Sequence, residues 1–204
     1  YDLNFLNAAK EACEKLGVEC LIKTNIPEGQ ECYEAACELA DEGCDFIFAD
    51  SFGHEDYIIE AAREYGKRML RITMVVSLVG CVIILALRPL ILDFYRDKLT
   101  ETAIYYLGTF IIMTTWRLLG EGINTCLICG CFRGGGDSRF GMIVDSVFMW
   151  LVAVPLTFLA AYVFKLPPIW VYFIMTLDEF EKMPAVFIHY FRGKWLTNIT
   201  RDFE

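Results

Sequence analysis

Apolar and polar positions follow two different rhythms along this chain. In residues 1–66 short apolar runs trade places with charged ones. Apolar side chains at 3, 5, 6, 8, 9, 12 and 16 share one helical face, and Gly17 follows as a stop signal. Residues 18–23 read as a short strand, Pro27-Glu28-Gly29 as a turn, and 32–39 as a second amphipathic helix ending near Gly43. A compact apolar strand at 45–49 precedes a third helix from about 54 to 65. This helix–strand alternation predicts parallel strands joined by right-handed crossovers. Beyond residue 66 the rhythm changes to long uncharged runs at 72–87, 102–116, 146–164 and 166–177. A helix rises about 1.5 Å per residue and a hydrocarbon core is about 30 Å thick, so each run with its neighbours is long enough to cross. The expected spans are about 71–93, 101–132, 140–164 and 167–191. The fold class expected is therefore mixed: an α-helical membrane bundle of four transmembrane helices over 67–204, preceded by a small α/β piece over 1–66.

Charge breaks at the same place. Residues 1–66 hold 16 Asp/Glu against 4 Lys/Arg, and residues 67–204 hold 11 against 14. An apolar fraction of 56% with a mean hydropathy of +0.42 is too high for an ordinary soluble domain. No basic cluster with interleaved aromatic residues points to nucleic acid, so the partner expected is the lipid bilayer. Basic residues favour alternate loops: Lys67, Arg68 and Arg71 before the first span, Arg133 and Arg139 in the third loop, Arg192, Lys194 and Arg201 in the tail. By the positive-inside rule both ends of the membrane part are cytoplasmic in a multi-pass plasma-membrane protein. The chain opens Tyr-Asp-Leu-Asn without a signal peptide, which suggests a truncated or partial chain.

Ionisable residues inside apolar spans are where transport chemistry is expected. Arg117 and Glu121 lie four residues apart on one helical face and form an intramembrane ion pair, either fixing helix packing or serving function. Asp178 and Glu179 fall part-way along the last span. Adjacent carboxylates repel, and sharing a proton or binding a cation relieves the repulsion. They are the coupling-ion candidates, with H+ or Na+ as the ion, unless the helix simply reaches water there. Asp145 reads as a cap at the membrane edge. Nine cysteines include Cys126, Cys129 and Cys131 in an apolar run, and their spacings match no zinc or redox pattern. Small apolar packing residues in a reducing environment explain them. With no nucleophile–base pair, P-loop or metal set, neither an enzyme nor a metal or cofactor site is expected.

Arg133-Gly134-Gly135-Gly136-Asp137-Ser138-Arg139 reads as a tight cytoplasmic turn in which glycine permits positive φ. With residues 120–132 before it, and Phe140-Gly141-Met142-Ile143-Val144-Asp145, Trp150-Leu151, Val154-Pro155-Leu156 and Gly193-Lys194-Trp195 after it, the stretch 67–204 resembles the carboxyl-terminal portion of multidrug and toxic compound extrusion transporters. That resemblance implies twelve spans in two lobes, exchange of small organic cations or metabolites for H+ or Na+, and a fragment that does not transport by itself. Residues 1–66 resemble a piece of the basic membrane protein family, the nucleoside-binding lipoproteins of ABC importers. The matching phrases are Asp2-Leu3-Asn4, Gly17-Val18-Glu19, residues 40–48, Ser51-Phe52-Gly53 and residues 61–65. This implies a periplasmic-binding-protein-like lobe, with Phe52 as the nucleoside-stacking candidate or else packed under its own loop. Together the two resemblances describe a chimera with a seam at about 65–67. The alternatives are a nucleoside-binding protein fragment and a small membrane protein with an α/β cytoplasmic sensor head.

Overall fold

The computed structural model describes residues 2–49 and 51–196. They form two compact units, Tyr1–Tyr65 and Gly66–Glu204. In the first, helix α1 spans Asp2–Leu16 and helix α2 spans Gln30–Asp41. A single 3-10 turn, Phe52–His54, leads into the long helix α3, Glu55–Tyr95, and the boundary between the units falls inside α3. Small side chains are buried in this first unit: Cys32 and Ala36 on α2 and Ala61 on α3. Tyr65 reaches across to donate its hydroxyl to the Cys37 carbonyl at 2.9 Å, and Lys23 pairs with Glu38.

No strand and no sheet occurs among the described residues, which overturns the α/β expectation for residues 1–66. Both stretches expected to be strands are irregular. The physical reason is the missing ladder: a strand buries its side chains and satisfies its backbone only beside another strand. Phe46 and Phe48, which a sheet would bury, are 81% and 91% exposed. The periplasmic-binding-protein-like lobe implied by the lipoprotein resemblance therefore has no counterpart among the described residues.

The second unit is helical throughout its ordered elements. After α3 come α4, Glu101–Asn124, continued without a break by a π-helical stretch, Thr125–Phe132. Helix α5, Ser138–Phe148, runs through π-helical turns at Met149–Ala153 and Leu159–Val163 that flank the short α6, Val154–Phe158. Pro155 lacks an N–H and its ring excludes the preceding turn's carbonyl. Here the helix widens around it rather than ending. The last apolar stretch is divided into α7, Pro168–Thr176, α8, Asp178–Glu181, and α9, Met183–Phe191. Pro184 removes the N–H that would bond to the Phe180 carbonyl, which accounts for the break at Lys182.

The core of this unit centres on Leu127, Phe132, Val144, Val186 and Trp195. Outside it lies apolar surface of the opposite kind. Glu55–Tyr95 and Ser138–Val163 are long and apolar enough to cross a membrane, yet only 11% and 6% of their most apolar windows are buried within the protein. Val75, Val76, Val79, Val82 and Ile83 of α3 all face outward. An exposed apolar surface of this extent fits lipid rather than water.

Candidate functional site

Where α8 meets α4, Glu179 and Lys182 are buried within a set of ionisable side chains. Gly120 allows the approach: a Cβ added there would stand 2.9 Å from the Glu179 Cβ. One turn before it along the same helix, Trp116 stacks on Phe180 with ring centroids 4.6 Å apart. Asn124, only 3% exposed, ends α4 beneath this contact. Its Nδ2 donates to the Glu179 backbone carbonyl at 2.6 Å and to Glu179 Oε2 at 2.9 Å. Glu179 and Lys182 are each 8% exposed.

Lys182 is the hub. Its Nζ stands 3.1 Å from Asp145 Oδ1, 3.2 Å from Glu179 Oε2 and 4.0 Å from Asp178 Oδ2. Asp178 and Glu179 reach it along their own chain segment at i,i+4 and i,i+3, whereas Asp145 arrives from α5. The Glu179–Lys182 pair is buried on both sides, and removing one partner of such a pair costs about 3–5 kcal/mol by stranding the other. Three buried oxygens have no hydrogen-bond donor among the described residues: Asn124 Oδ1, Asp178 Oδ1 and Glu181 Oε2. All three are acceptors, so the cluster lacks positive charge and donors, not acceptors.

The coupling-ion candidates Asp178 and Glu179 thus stand together in this cluster. Arg117 and Glu121 stand one helical turn apart on α4 with 3.7 Å between charges, both partly exposed on its flank. Asp145, read from sequence as an edge cap, is a partner of Lys182. The sequence reading missed Asn124 and the hub role of Lys182. The i,i+3 and i,i+4 spacing to Lys182 was a usable signal. Nothing local marked Asn124, whose partner is 55 residues away.

The glycine motif forms a second polar centre. Gly136 takes φ +91°, a conformation that favours glycine, and pairs with Leu196 across an isolated bridge. The Asp137 carboxylate accepts the Phe140 N–H at 3.2 Å, capping α5. Its other oxygen meets His189 Nε2 at 2.7 Å. The His189 ring lies flat on Phe140, centroids 3.7 Å apart. Arg133 and Gly134 are exposed. Backbone Phe52 opens the 3-10 turn, but its side chain lies outside the described residues. Cys131 is buried, Cys129 is exposed and Cys126 lies between, all as free thiols. Among the described residues no three His, Cys, Asp or Glu side chains are spaced, as they stand, to hold a metal ion.

Residues 43–159 match the family model MatE. The match begins ahead of the charge break and extends across it, so the expected seam at 65–67 lies inside the matched segment. It takes in Asn124, Asp145 and the glycine motif and ends before α7. No curated protein and no solved structure matches the chain. With more than half of its residues inside that match, the chain belongs to the MatE family, a family of membrane transporters and not of enzymes.

Proposed function

We propose that this chain supplies helices of a cation-coupled exporter, in which H+ or Na+ moves one way and small organic cations or metabolites the other. The single observation that carries the reading is the buried Glu179–Lys182 pair, with Asp178 and the partly exposed Asp145 beside it, at a broken helix. Ionisable groups inside a membrane bundle are costly and mark ion pathways. Interrupted helices at mid-membrane are where carriers hold their coupling ions. Alternating access rocks two bundles about such a site, and this chain takes part in one of them. The bias of basic residues to alternate loops supports a cytoplasmic position for both ends of residues 67–204 at the plasma membrane.

Antiport requires that the two cargoes oppose each other's binding, a coupling that is reciprocal at equilibrium. The full chain in lipid nanodiscs should therefore bind ethidium, a model organic cation, at least about fivefold more weakly when sodium or acid is added, within the usual range of coupling between sites. Glu179→Gln and Asp178→Asn should blunt that response. Ethidium binding indifferent to both sodium and pH overturns the reading.

A further inference from the structure

We infer that the glycine motif and the Gly193-Lys194-Trp195 segment together hold the headgroup of an anionic phospholipid at one end of the second unit. The inference goes beyond the exporter reading and does not depend on it. Gly135 brings the two segments into contact, since a Cβ added there would collide with the Trp195 carbonyl oxygen and ring. Gly136 then pairs with Leu196 across the isolated bridge. Asp137 meets His189 of α9 at 2.7 Å. Stretches far apart in sequence are thereby locked side by side, and each carries basic residues.

Arg133 and Arg139 bound the motif, and Arg192 and Lys194 flank Gly193; all four are exposed. Among the described residues no carboxylate pairs with any of them. The motif's own acid does not neutralise them, because one Asp137 oxygen accepts the Phe140 N–H and the other is taken by His189. The next turn of each helix distinguishes a lipid from a soluble anion. On α5, Met142 and Ile143 stand three and four residues after Arg139, on its face, and both are exposed. On α9, Ile188 stands one turn before Arg192 with Phe191 beside it, again exposed. Helix α5 begins where α9 ends, with Phe140 stacked on His189. Both helices therefore present cations at this end and bare apolar side chains one turn further in. A phospholipid offers its phosphate to the first and its acyl chains to the second, whereas a free phosphate leaves the second uncovered. Basic side chains at a membrane surface favour anionic lipid by about fivefold each.

The test uses the full chain in nonionic detergent micelles. Fluorescently tagged phosphatidylglycerol is the probe, and the same tag on phosphatidylcholine gives its zwitterionic counterpart. The native chain should bind the anionic lipid at least about tenfold more tightly. Arg133→Gln combined with Lys194→Gln removes two exposed cations without touching the packing, and should lose most of that preference. Gly135→Ala leaves every charge in place but pushes Trp195 away, and should lower the preference several-fold as well. Equal binding of the two lipids by the native chain overturns the inference, and so does an unchanged preference in the double variant. A preference unchanged in Gly135→Ala overturns it too, because the charges then act without being held together. Where Gly135→Ala does not fold, the double variant decides. Inorganic phosphate that displaces the tagged lipid, at an ionic strength matched with chloride, assigns the cations to a soluble anion and overturns the lipid.

Discussion

Asp137 does two jobs with one carboxylate, and they can be separated. One oxygen caps α5 through the Phe140 N–H, and the other holds His189 against the Phe140 ring. Losing an N-cap costs about 1 kcal/mol and losing a hydrogen bond to an ionisable group about as much again, so Asp137→Ala should destabilise the chain by roughly 2 kcal/mol. Asp137→Asn keeps an equally good cap and should lose about half of that. Thermal unfolding in detergent measures both, and equal losses would show that the cap contributes nothing. In the first unit, Cys32 is buried near the His54 carbonyl, and burial pushes its thiol above its ordinary 9.0. Up to about pH 9 the thiol is protonated folded or unfolded. Above that the unfolded chain loses its proton first, so stability falls as pH rises through the folded value. Iodoacetamide alkylation of Cys32 should accordingly set in at higher pH than for a cysteine in an unstructured peptide. The same residue scale shows what local sequence conveys. Asp178 and Glu179 stand out as charges within an apolar run, and Lys182 follows by helical spacing. Asn124 is an ordinary amide until α8 is laid against α4.

Close approach of α4 and α8 is an element-scale feature with its own test. Gly120→Ala would ordinarily favour a helix by about 1 kcal/mol. Here the new methyl meets the Glu179 Cβ at 2.9 Å, so α8 must shift and the Asn124 bonds to Glu179 stretch. Overpacking of this kind costs about 1–3 kcal/mol. The expected sign is therefore a lower unfolding temperature. A higher one would mean that Gly120 does not set the spacing. Helices were the legible elements: α1 and α2 lie over the two amphipathic stretches of residues 1–66 because their apolar faces recur at helical period. Strands were not, because residues 18–23 and 45–49 have strand-like composition but no neighbour to pair with, and composition says nothing about a neighbour. The π-helical stretch Thr125–Phe132 left no trace in the sequence pattern either, since one wider turn hardly moves an apolar stripe.

For the whole molecule, the long uncharged runs were the readable signal: four spans were expected, and among the described residues two helices, Glu55–Tyr95 and Ser138–Val163, are long and apolar enough to cross a membrane, with their apolar windows turned outward. The charge break was equally plain, yet it read as a seam between proteins when the family match runs across it. Net charge reports on solvent and partners, not on fold, and the acidic stretch passes into α3 without ending the helix. The outward surface has a direct consequence in the bilayer. Leu151 lies near the middle of Ser138–Val163 and is exposed, as is Trp150 beside it. In water an exposed leucine changed to arginine alters stability by less than about 0.5 kcal/mol. At the centre of a spanning helix the same change costs about 2.5–3.5 kcal/mol on the insertion scale. Leu151→Arg should therefore reduce the fraction of chain that resists alkaline extraction from membranes. Lys98, in the loop between α3 and α4, provides the control, since Lys98→Arg keeps its charge outside the apolar stretches. Retention of Leu151→Arg equal to that of the native chain would mean that this face of Ser138–Val163 does not meet lipid, and that another protein surface covers it.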